Sequence, residues 1–138
     1  MIAALIGITS LATAIQFVYY CRSALASTRN AEPSGHVLRA AGLQSGKTKS
    51  ADFDRFLELV RLCPESGKDA AQIRGIAIYY RFVRLLAQLL EQPLPAVSSW
   101  ATKEQCACAH FAAVVLDRRI ASSRNLFLAR GPGRPESL

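Results

Sequence analysis

The side chains best equipped for chemistry fall at two places, Cys106-x-Cys108-x-His110 and the segment Ala41 to Thr48, AGLQSGKT. A thiol and an imidazole four residues apart can ligate a metal or act as nucleophile and base. A glycine-rich loop ending in Gly46-Lys47-Thr48 can surround phosphates with backbone N–H groups. Each of these chemistries makes a geometric demand. On a helix Cys106 and His110 share a face, while Cys108 turns to the far side. A structural zinc site needs four ligands, and no second Cys/His pair accompanies these two, His36 lying apart from them. A triad fails as well, because His110 and Asp117 stand two helical turns, about 10 Å, apart. The expectation is a polar seam formed by Lys103, Cys106, His110 and Asp117, with Cys106 and His110 as the only metal candidates and no catalytic residue.

The phosphate loop must leave a strand and enter a helix at once. Here His36 to Ala40 is a poor strand, a convincing helix starts several residues late, and Ala41 stands where the pattern has Gly. Ala112 to Asp117, AAVVLD, resembles an apolar strand ending in a Mg²⁺-binding Asp, but the helical pattern around it leaves no room for a parallel sheet. Cofactor binding through Gly46, Lys47 and Thr48 is therefore the alternative reading, and the principal one is without a cofactor or an enzymatic activity.

The elements that would position these residues begin with an apolar segment. Residues 1–21 carry no charged side chain, and as a helix they are long enough to cross a hydrocarbon layer of about 30 Å. Tyr19 and Tyr20 suit the headgroup level at its end. Arg22, Arg29, Arg39 and Lys47 follow it and no Lys or Arg precedes it, so the positive-inside bias places the rest of the chain in the cytoplasm, at the plasma or inner membrane. Ala3, Gly7, Ser10 and Ala14 form a small-residue stripe on which a second helix packs, from a protein partner or another copy of the chain. Thr9, Thr13, Gln16 and Tyr20 form a polar stripe, to be satisfied by a neighbour or by the helix's own backbone. Ala24-Leu25-Ala26 has the form of a signal-peptide cleavage site, and cleavage there gives the competing reading of an exported soluble helical adaptor. A third reading makes the segment a buried core helix.

Residues 22–50 read as a flexible linker with Pro33 and Gly35 as breakers, interrupted by a short apolar patch from Val37 to Leu43. Residues 51–123 read as an antiparallel three-helix bundle. The first helix runs from about 52 to 63, with Phe53, Phe56, Leu57 and Val60 on one face, and stops at Pro64. The second, Asp69 to Glu91, confines its polar residues to a narrow stripe and so reads as the central, covered helix, ended by Pro93 and Pro95. The third starts near Trp100 behind a Ser98 or Ser99 cap and runs to Ile120 or slightly beyond. Residues 124–138 read as a basic disordered tail.

The net charge of +7 on 138 residues is carried by the two ends, around a near-neutral centre. Arg22, Arg118, Arg119, Arg124 and Arg130 are the expected contacts with an anionic membrane surface. Nucleic acid is not the expected partner, because no recognition helix, zinc finger or aromatic single-strand motif accompanies the charge. Four scattered cysteines do not form a disulfide framework, which suits a reducing compartment. With no convergent catalytic set, the sequence points to an all-α, single-pass membrane protein, its anchor followed by a small bundle that acts as a non-enzymatic accessory or scaffold subunit.

Overall fold

A computed structural model of the chain describes residues 1–33, 35–40, 52–63, 67–90 and 94–129. They form five helices: α1, Ile2–Thr28; α2, Gly35–Ala40; α3, Phe53–Leu62; α4, Gly67–Leu90; and α5, Pro95–Ala129. The fold is all-α, a long apolar N-terminal helix followed by a helical bundle, with no strand among the described residues.

The 35-residue helix α5 is the axis, touching each of the other four helices. Residues 108–116 are buried at every position but His110. This corrects the expectation that α4 is the central, covered helix. Ala101, Cys108, Ala109, Ala112 and Ala113 let neighbours approach α5 closely on several sides. α4 buries Ile76, Tyr79, Tyr80 and Val83 but leaves Ile78, Phe82, Leu85 and Leu89 exposed on its outer face. α3 packs Phe53, Phe56 and Val60 into the same core, with Phe53 stacked on Tyr80 at 4.2 Å between ring centroids. Its apolar residues recur at the one-face helical spacing, which is why α3 lies where the pattern places it.

Several boundaries differ from the sequence expectation. α1 continues past Cys21 to Thr28 and buries Cys21, Leu25 and Thr28 against α4 and α5, so residues 22–28 are a packed helix and not linker. The physical reason is local: residues 22–28 hold no Gly or Pro, and the i, i+4, i+7 spacing of 21, 25 and 28 gives the helix a face to bury. The short α2 falls within the expected linker and packs beside α5. α5 begins at Pro95 and not behind Ser98 or Ser99, because proline is well tolerated in a first helical turn, whose N–H groups have no partner within the helix. At its other end α5 carries residues 124–129 as helix, where the sequence suggests a tail. The remaining tail residues and those at 41–51 lie outside the described set.

Two basic side chains of α5 cap the helices beside it. His110 Nε2 lies 3.2 Å from the carbonyl oxygen of Thr28, the last residue of α1, and since a carbonyl only accepts, this nitrogen carries the hydrogen. Arg119 Nη1 donates to the Val60 carbonyl at 3.0 Å in the last turn of α3. Each carbonyl also accepts a backbone N–H just past its helix, from Ala31 at 3.0 Å and from Cys63 at 3.3 Å, so the side chain adds a second donor at the negative end of the helix dipole.

Candidate functional site

Of the residues singled out for chemistry, the structure describes Cys106, Cys108 and His110, all on α5. Cys106 and His110 are half-buried on α5, and His110 is engaged with α1 through Thr28. Cys108 faces the core with no exposed surface, and burial, the Glu104 carboxylate and the nearby Cys21 push its thiol up to about 12. It therefore keeps its proton at neutral pH and packs as a small apolar side chain. Among the described residues no three His, Cys, Asp or Glu side chains gather as a metal would require. Gly46, Lys47 and Thr48 lie outside the described residues.

A polar cluster that spacing alone does not reveal forms where α1 enters the bundle. Tyr79 of α4 is fully buried, and its hydroxyl donates to Glu104 Oε2 at 3.1 Å. Glu104 Oε1 lies 3.7 Å from Arg22 Nε of α1. Burial first, then the Glu104 charge and hydrogen bond, raise the Tyr79 phenol well above its ordinary range. The cluster ties three helices through one carboxylate. Its only sequence signal is that Glu104 is the sole acid between residues 92 and 116. Beside it, a surface hollow of about 560 Å³ is lined by Arg22, Arg29, Trp100, Lys103 and His110, with Glu104 on its wall.

The expected membrane-surface arginines separate into two groups. Arg22, Arg118 and Arg124 are exposed, as such contacts require, and Arg130 lies outside the described residues. Arg119 is a correction: it is 5% exposed and turned into the bundle to cap α3. Position explains it, because Arg119 follows the buried run ending at Leu116 by three residues and so repeats its inward face.

The apolar segment is the second candidate region. α1 is the one described helix long and apolar enough to span a membrane, and none of its apolar window is buried by the rest of the chain. Ala3, Gly7, Ser10 and Ala14 are exposed, and a Cβ added at Gly7 meets nothing within 4 Å. The polar stripe is partly satisfied from within: Thr9 Oγ1 donates to the carbonyls of Leu5 and Ile6, and Thr13 Oγ1 to that of Thr9. Comparison with known proteins finds no matching family model, curated protein or solved structure.

Proposed function

We propose that the chain is a membrane-anchored helical protein that acts as a non-enzymatic accessory or scaffold subunit, with α1 as the anchor and the bundle on the cytoplasmic side. The observation that carries this reading is the division of α1 into two parts. Residues 2–16 are exposed and carry no charge, while Cys21, Leu25 and Thr28 are buried against the bundle. A helix so divided transmits the position of a membrane rigidly to the bundle. The competing reading, cleavage near Ala26, removes Cys21 and Leu25 from the core and is disfavoured on that ground. The hollow at Arg22, Arg29 and Lys103, with three cations against the one Glu104 carboxylate, lies beside the place where α1 enters the bundle, which suits anionic headgroups.

The scaffold role rests on faces left without a neighbour. Ala3, Gly7, Ser10 and Ala14 extend the heptad spacing of Phe17, Cys21, Ala24 and Thr28, so the small-residue stripe continues the face that packs on the bundle. Ile78, Phe82, Leu85 and Leu89 form a second exposed apolar stripe on α4.

Alkaline extraction of membranes, with protease access to a carboxy-terminal tag, tests the anchor. Full-length retention with the tag protected from outside is expected, and release as a chain starting near Ser27 overturns it. Gly7→Leu tests the packing face. It meets open space within the chain, so a loss of cross-linked assembly at unchanged bundle stability reports a second helix, and unchanged cross-linking removes the stripe from the proposal.

A further inference from the structure

We propose that the cavity between α3, α4 and α5 is a binding site for a phosphate group, held by Arg61, Arg74 and Arg119. The cavity has a volume of about 140 Å³. That is several times the ~30 Å³ share of one water molecule in the liquid, and so is room for a phosphate group and little more. Three guanidinium groups line it, among apolar walls that include Leu57 and Ile73, and no carboxylate lines it among the described residues. Asp69, in the first turn of α4, is not part of the lining, although Ala70 beside it is.

Arg119 is the residue that asks for a ligand. It is 95% buried, and its Nη1 is used by the Val60 carbonyl, while Nε has no hydrogen-bond partner. Capping α3 occupies Nη1 of this guanidinium and leaves Nε enclosed without an acceptor. A buried cationic donor without an acceptor is costly, and pairing with an anion that also hydrogen-bonds removes that cost. Arg61 and Arg74 are exposed at the same cavity, so an incoming group meets cations before it reaches Arg119. Guanidinium forks match phosphate oxygens in geometry. A dianionic phosphate with three acceptor oxygens also balances three cations better than a single carboxylate does. The phosphate can belong to a soluble phosphate species or to a lipid headgroup, and the site chemistry is the same for both. The inference is independent of the membrane reading of α1.

The test uses the purified full-length chain in nonionic detergent, at ionic strength held constant with chloride. One arm follows the thermal unfolding midpoint against inorganic phosphate, and the other compares mixed micelles containing phosphatidic acid with micelles containing phosphatidylcholine. A saturable rise with inorganic phosphate identifies a soluble phosphate ligand, and a rise with phosphatidic acid alone identifies a headgroup. In either case Arg74→Gln, at an exposed position, weakens the apparent affinity about tenfold, the loss of one charged hydrogen-bonding partner. Arg61→Gln is the second variant, and both are expected to fold, so the outcome does not depend on removing Arg119. No rise in either arm, or a rise that the Arg61→Gln, Arg74→Gln double variant reproduces in full, overturns the proposal.

Discussion

Glu104 joins three helices with one carboxylate, taking a hydrogen bond from the buried Tyr79 and lying beside Arg22. The Arg22 guanidinium is mostly exposed, so the stabilising share of the cluster lies in the Tyr79 bond. Tyr79→Phe removes a bond to a charged acceptor and lowers stability by about 1.5 kcal/mol, read from denaturant midpoints. Cys108 supplies a pH dependence whose sign follows from its raised pKa. In the unfolded chain the thiol ionises near 9, while in the fold it keeps its proton to about 12. Above pH 9 the unfolded state therefore binds fewer protons, and stability falls as pH rises between those values. Thermal melts across that window show the decline, and Cys108→Ala makes it shallower without abolishing it, because Tyr79 shifts in the same direction. A decline equally steep in Cys108→Ala shows that the thiol does not contribute.

At the scale of elements, the end of α1 behaves as part of the bundle. Leu25 is 7% exposed among residues of α1, α4 and α5. Leu25→Ala leaves a cavity at that junction and costs about 3 kcal/mol, measured by unfolding of the full chain in detergent. A cost below about 0.5 kcal/mol, the range of an exposed surface site, would place Leu25 outside the core. The caps from His110 to α1 and from Arg119 to α3 act in the same sense, each holding a helix end to α5. Neither was legible from spacing, because a cap acceptor is a backbone carbonyl and leaves no trace in the residue types. The one-face pattern of Phe53, Phe56 and Val60 was legible, since α3 buries that face alone.

For the molecule as a whole, α1 divides the chain at a place that truncation can locate. Removal of residues 1–16 takes away exposed surface only and leaves the cooperative unfolding midpoint within a few degrees of the full chain's. Removal of 1–28 opens the core at Cys21, Leu25 and Thr28 and lowers the midpoint by tens of degrees or abolishes cooperative unfolding. Circular dichroism melts of the two fragments separate these outcomes, and equal midpoints would contradict the packing of α1.

The all-α class, the apolar N-terminal helix and the bundle were determined by the sequence itself, because hydrophobic periodicity and an uncharged run of residues are local properties of the chain. That Cys106 and His110 share a face of one helix while Cys108 turns away from it was equally readable, since helical geometry fixes which neighbours share a face. The tertiary structure decided which helix became the axis, and placed Arg119 inside and Cys108 in the core, where burial raises its thiol pKa. It also joined Tyr79, Glu104 and Arg22, which lie far apart in the chain. Burial depends on which neighbours arrive, and small residues such as Ala109 and Ala113 admit them closely although the same residues look unremarkable in a linear pattern.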